Sequence, residues 1–380
     1  MGMPPNRRTV VTVILTFAMS TSAAVLGLHV RPLHPNEAMT PGKYRSDLST
    51  DTAFTESYYY AGPRFDKLVA ESYHYLGSED WRSFYRQMNN AYNRYRNNVP
   101  QWQSTTLIGM LDSERRRLAA IADGYKRAKA EKTLAANLHM FVKAAIPNFS
   151  LDRGFEFYYA QMRGERQCFL QSVLIAGMLQ KAGVQAGVAM VYKNTYGELT
   201  NNGHAVDLIR LSNGRHIIVD ASEHAPFAKH RGLFVKLLDY IYVEPVFKAN
   251  SEEIDHYESE SDRKSILPTK IKTLDYDFLR SQFWYYRGER AVGGLLLLPK
   301  TASGLKASER ALCVSVDICP KNPLAVFTLG RVYLSEGKMQ AARKSVLEAY
   351  HLYSRFGWVP EGLTEYLAIV RRTDLARPGS

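Results

Sequence analysis

Large apolar residues recur at Trp81, Phe84, Tyr85, Met88, Tyr92 and Tyr95, the three-and-four spacing of one helix face. The same period predicts a helix over Leu111–Ala130. It predicts another over Leu134–Ala145, where Leu134, Leu138, Phe141 and Val142 share a stripe and Pro147 ends the run. A further helix starts at Cys168 and runs to about Lys181. Leu170, Leu174, Met178 and Leu179 line one stripe and Val173, Ala176, Gly177 and Gln180 another, which predicts a largely buried helix. Gly183 is placed for a left-handed cap beyond its end. The period then changes to two, and strands are predicted over Gly187–Tyr192, His204–Leu211 and Arg215–Ser222.

The turn Ser212-Asn213-Gly214 sets the register of the last two strands. A three-residue loop puts Gly214 in the left-handed position and pairs Leu211 with Arg215. Val206 then faces Asp220 and His204 faces Ser222. His204 and Asp220 become diagonal neighbours on one sheet face, about 7–8 Å apart at the backbone. A two-residue Asn-Gly loop would move Asp220 to the opposite face. Asp207, at an odd offset from His204, points away on either register.

From Ser251 to Lys264 the run is acidic and without period, and reads as a linker or exposed loop. Beyond it the pattern is helical again. Near the start, Thr9–Val30 carries no charged residue and follows Arg7 and Arg8. That is the pattern of a secretory signal or membrane anchor, and its 22 residues are long enough to span a bilayer. Pro32, Pro35 and Pro41 then predict an extended tether. The resulting division is 1–40 signal or anchor and tether, 41–112 a Tyr-rich helical region, 113–249 a core, 250–275 an acidic linker, and 276–375 a helical region. An extracytoplasmic location follows, periplasmic or secreted, with membrane association through residues 9–30.

Composition narrows the classes. The chain has 380 residues, 46% hydrophobic and 23% charged, which excludes wholesale disorder and fits two or three domains. Its formal net charge is +12. Arginines lie among the aromatics between Arg82 and Arg96, a mixture that can serve nucleic acid. No recognition motif accompanies it, and the export segment argues against that partner. Three cysteines are too few for a disulfide scaffold, and the odd number leaves at least one without an intramolecular partner. Cys313 and Cys319 are six apart. If helical throughout, they are separated by about 9 Å, beyond the roughly 7 Å reach of a disulfide. A bridge requires Cys319 to have left the helix.

Cys168 is different. In the first turn of a helix, unsatisfied N–H groups and the helix dipole favour negative charge on a thiol. A thiol at a helix start, a histidine at a strand start and an aspartate on the next strand supply a nucleophile, a base and an orienting group. His216, His224 and His230, spaced by eight and six, match no metal-ligand motif and read as core or surface histidines. No metal or cofactor is expected.

Gln-Cys-Phe at a helix start, Met-Leu-Gln-Lys-Ala-Gly-Val at its end, Gly-His-Ala at a strand and Val-Asp-Ala-Ser after the hairpin resemble the transglutaminase-like superfamily, over roughly Leu134–Ser222. The resemblance implies an α+β fold with a papain/transglutaminase-like core, a Cys-bearing helix on a small antiparallel sheet. It implies that Cys168 attacks an acyl carbonyl, His204 moves the proton and Asp220 holds the imidazole. Gln167 and Gln161 are candidates for oxyanion or substrate binding, beside the Cys168 backbone N–H. The chain departs from the family at Val206 and Phe169, where tryptophan is usual, and near Gly187, where arginine is usual. Leu329, Gly330, Tyr333, Gly337, Ala342 and Ala349 resemble the small and aromatic positions of a tetratricopeptide repeat. A weaker unit precedes it, at Leu295, Ser308 and Ser315, and a terminal helix over Glu361–Val370 follows. The expected function is thiol-dependent hydrolysis or acyl transfer at amide bonds of a protein or peptide, with a protein partner on the C-terminal helices. The alternative is an inactive core retained as a binding or assembly module.

Overall fold

The computed structural model describes residues 53–375. The expected signal or anchor, residues 1–40, lies outside them. No helix among the described residues is long and apolar enough to cross a membrane.

Four helices come first: α1 (Pro63–Tyr75), α2 (Arg82–Tyr95), α3 (Leu107–Ala119) and α4 (Gly124–Ala145). The single helix expected over Leu111–Ala130 is two. Asp123 accepts a hydrogen bond from the Lys126 N–H at 2.8 Å and so starts α4 afresh. Two short strands, β1 (Asn148–Phe149) and β2 (Glu165–Arg166), pair in parallel around α5 (Phe157–Arg163). The chain then enters α6 (Cys168–Lys181), whose first twelve residues are all buried. Gly183 beyond it has φ +81°, as its place in the sequence predicts.

Seven strands follow: β3 (Gln185–Lys193), β4 (Leu199–Arg210), β5 (His216–Val219), β6 (Gly232–Lys236), β7 (Tyr240–Phe247), β8 (Ile254–Ser259) and β9 (Ser265–Ile266). Their order is β5-β4-β3-β6-β7-β8-β9, and the pairing of His216 with Ile254 joins β5 to β8, closing six strands into a barrel. Side chains alternate between two cores. Ala189, Val191, Val206, Ile218, Leu233 and Val243 belong to the one that fills the barrel. Val188, Met190, Ile209 and Val219 face outward, into a larger core shared with the helices.

The barrel corrects one expectation. The centre of the acidic run 251–264 is the strand β8, Ile254–Ser259, flanked by turns. Ile254, Tyr257 and Ser259 of β8 are buried while the charges lie outside. There Arg263 pairs with Glu244 and Glu258.

Helices α7 (Tyr276–Glu289), α8 (Ala302–Ile318), α9 (Pro323–Ser335), α10 (Met339–Phe356) and α11 (Glu361–Leu375) complete the chain, each packed on the next. Small residues permit the close approach. A Cβ on Gly330 of α9 would lie 2.9 Å from Val346 Cγ2 of α10. Ser281 of α7 and Ser315 of α8 are fully buried and bonded to each other at 2.9 Å. The α7 helix also packs on the Cys-bearing helix, with the Phe169 and Phe283 rings 4.9 Å apart.

Candidate active site

The β4–β5 hairpin has the register that the three-residue loop predicts. Arg210 pairs with His216 and Asp207 with Val219, the Leu211 N–H donates to the Arg215 carbonyl at 2.8 Å, and Gly214 has φ +80°. His204 therefore stands on the face where Asp220 emerges just past β5. His204 Nε2–H donates to Asp220 Oδ2 at 2.7 Å. The Cys168 thiol, at the start of α6, lies close enough to the same imidazole to favour its protonated form. With Nε2 engaged, Nδ1 is the nitrogen left to face sulfur. Cys168, His204 and Asp220 are thus brought together from α6, β4 and the end of β5.

The approach to α6 is held from several sides. The Ser150 N–H donates to the Arg166 carbonyl at 3.0 Å, and Arg153 grips Glu165 with two bonds of 2.9 and 2.7 Å. Gln180, at the far end of α6, accepts from the Tyr58 N–H at 2.8 Å and donates to the Ala186 carbonyl at 2.9 Å. That bond ties the helix to β3.

His230 is the residue that the sequence did not assign. It is buried, 3% exposed, and its Nε2–H donates to the same Asp220 Oδ2 at 2.8 Å. The Asp220 N–H donates to the Pro226 carbonyl at 3.0 Å, so the 221–229 loop folds back and delivers His230 to the carboxylate. The reading of His230 as an ordinary core or surface histidine is corrected on this point. His216 is a core histidine, with Nδ1 bonded to the Tyr257 hydroxyl at 2.8 Å and Nε2 accepting from Arg210 Nε at 3.1 Å. His224 is exposed.

His204, Asp220 and His230 each offer one donor atom within 4.8 Å of the other two. These are the described donors closest to a metal-binding arrangement. Two donors on one tetrahedral zinc ion stand roughly 3.3 Å apart. The 2.7 and 2.8 Å separations here are hydrogen-bond lengths.

Electrostatics follow the same contacts. Burial works against charge on His204, but its bond to Asp220 and the nearby Cys168 prevail and push it up to about 10. Burial also works against charge on Asp220, and the bonds from His204 and His230 outweigh it, holding the carboxyl well below its usual range. Asp207 is the opposite case. It points away from His204, fully buried, with neither oxygen hydrogen-bonded. Burial, then the nearby Asp220, raises it far above the carboxylate range, so it stays neutral.

Of the two glutamine candidates, Gln167 is buried directly before Cys168 with Oε1 unpartnered. Gln161 lies half-buried on α5 and makes no hydrogen bond to the three central residues. A donor that sequence spacing could not find is Tyr286 of α7. Its ring packs 5.7 Å from that of Phe169, its hydroxyl is buried without a partner, and burial followed by the nearby Cys168 keeps it protonated. The other two thiols are free. Cys319 has left α8, as a bridge would require, yet it contacts the Tyr240 hydroxyl at 3.6 Å and not Cys313.

No protein-family model matches the chain, and no curated protein matches it in sequence.

Proposed function

We propose that the protein is a transglutaminase-like thiol enzyme acting on amide bonds of a protein or peptide. The observation that carries this reading is the convergence of Cys168, at the start of α6, on an imidazole that is itself bonded to Asp220 at 2.7 Å. Cys168 sulfur adds to the acyl carbon while its proton resides on His204. The C–N bond then breaks, His204 gives that proton to the departing amine, and a thioester remains on Cys168. Water or a second amine, deprotonated by His204, attacks the thioester, and sulfur leaves as the thiolate. Asp220 balances the imidazolium charge throughout.

The developing oxyanion needs donors already in place. The Cys168 backbone N–H, in the first turn of α6, is one. The neutral Tyr286 hydroxyl is the second in this reading, with Gln167 beside it. The papain/transglutaminase-like core fits a Cys-bearing helix laid on β3 and β4. The tetratricopeptide-like reading of α9 and α10 rests on Gly330, Ala342 and Ala349 at their interface, and these helices would present a surface for a protein partner. Export, with or without anchoring, rests on residues 9–30.

A second reading, an inactive core kept as a binding or assembly module, is favoured by the low exposure of Cys168, 6%. One experiment separates the two. The protein is mixed with tryptic peptides, quenched in acid and measured by intact mass. The enzyme reading predicts hydroxylamine-labile acyl adducts on Cys168 that vanish in Cys168→Ala. Peptides retained without any covalent adduct would support the module and contradict the enzyme.

A further inference from the structure

We propose that Arg166 and Lys143 form an anionic-substrate subsite beside Cys168, so that the acyl group taken by the thiol carries a carboxylate close to the scissile bond. The proposal deepens the thiol-enzyme reading and rests on it.

Arg166 reaches the site through backbone geometry. Gln167 is extended, φ −135° and ψ 160°, so the side chains on either side of it, Arg166 and Cys168, leave the chain on the same side. Arg166 Nη1 donates to Gln171 Oε1 at 3.0 Å, and Gln171 Nε2 donates to the Ala221 carbonyl at 3.4 Å, next to Asp220. The guanidinium is thus tied through Gln171, about one turn along α6 from Cys168, toward the strand end that carries Asp220. Its Nε is buried without a partner.

Lys143 comes from the last turn of α4. Its Nζ donates to the Glu223 carbonyl, which also accepts from His139 Nε2 at 3.2 Å. The Glu223 N–H closes the turn on the Asp220 carbonyl at 3.3 Å. Burial, then the charge of Arg166, lowers Lys143 from its ordinary value, which places the two cations within each other's field.

The carboxylates of Asp220 and Glu223 act on Lys143 from a distance, without a bond to it. Among the described residues, neither forms an ion pair with a carboxylate. Asp220 already gives its Oδ2 to two imidazoles. Asp207 below it is neutral. Two cations, held by neutral acceptors alone at the lip of a half-dry site, attract an anion more strongly than exposed lysines do. A planar guanidinium with a free N–H is suited to a carboxylate.

Small electrophiles test this without knowledge of the natural substrate. The full chain is alkylated with iodoacetate and with iodoacetamide, which differ in charge, and the Cys168 rates are read by peptide mass spectrometry. The iodoacetate-to-iodoacetamide ratio is normalised to that of N-acetylcysteine. The expected ratio is well above one at low salt and falls toward one in 0.5 M sodium chloride, where the Debye length is only about 4 Å. Arg166→Gln and Lys143→Gln should each lower it by about threefold. Lys129→Gln, on the exposed outer part of α4, should leave it unchanged. The salt series on the unaltered protein keeps the test independent of whether a variant folds. A His204-dependent reaction of Cys168 with iodoacetamide, without preference for iodoacetate, would overturn the subsite and leave the enzyme reading standing. A Cys168 inert to both reagents would overturn both.

Discussion

Asp220 Oδ2 accepts two imidazole hydrogen bonds, while Asp207, on the neighbouring strand, accepts none on either oxygen. The two acids should therefore act on stability in opposite directions. Asp207 is raised in the folded protein, so its contribution is intact below its unfolded value, about pH 4, and is lost as pH rises above it. Asp207→Asn removes that loss. Urea unfolding should show the variant gaining on the parent by up to about 1.4 kcal/mol per pH unit above pH 4. Parallel pH profiles would contradict a buried neutral acid. His204 contributes stability below its ordinary 6.5 that is lost as pH rises toward about 10. His230 draws on the same carboxylate oxygen, so His230→Leu should leave Asp220 wholly to His204 and move the His204 ring titration upward. His230→Gln, which can still donate, should restore the parent value. Ring NMR signals against pH measure this, and an unmoved titration would show His230 to be packing alone. The Cys168, His204 and Asp220 triangle was legible because a helix start and a three-residue turn are local signals that fix direction and parity. His230 was not, since its place depends on how the 221–229 loop folds back, and no spacing records that.

At the level of elements, α7 joins the C-terminal helices to the side of the barrel that carries the candidate site. Arg287 of α7 is bonded to Glu156, just before α5, at 2.7 and 3.0 Å, and both side chains are nearly inaccessible. The guanidinium also lies 4.5 Å from the Trp284 ring centroid and 4.8 Å from that of Tyr75. Removing one member of a buried pair strands the other. Arg287→Met should cost about 3–5 kcal/mol in chemical denaturation, and adding Glu156→Leu should recover most of it. A cost below about 1 kcal/mol for the single change would show that α7 is not locked in this way. The strand β8 shows why the sequence misled at this scale. Its charges face outward and pair with one another, while Ile254, Tyr257 and Ser259 are the buried positions. The inward spacing is irregular where the β7–β8 register shifts, so strict alternation does not appear. The break between α3 and α4 had a local signal in Asp123, which the continuous run of helix-forming residues concealed.

Across the whole molecule, the described residues fall within one compact unit, and the helices of 276–375 are part of it. Phe283 and Tyr286 of α7 pack on Phe169, so the C-terminal helices wall the candidate site and do not hang from a linker. This arrangement could not be read from the repeat-like spacing, which records contacts between neighbouring helices only. The three thiols acquire distinct environments within the unit. Burial pushes Cys319 up to about 11 and raises Cys313 as well, while Cys168 lies beside His204. The central claim is that His204 and its position make Cys168 the reactive thiol. The direct measurement is the iodoacetamide alkylation rate of each cysteine at pH 7 in the folded chain and in His204→Ala. The account predicts that Cys168 reacts at least about tenfold faster than Cys313 and Cys319, and that His204→Ala removes this excess. Equal rates at the three thiols, or a fast Cys168 indifferent to loss of His204, would contradict it.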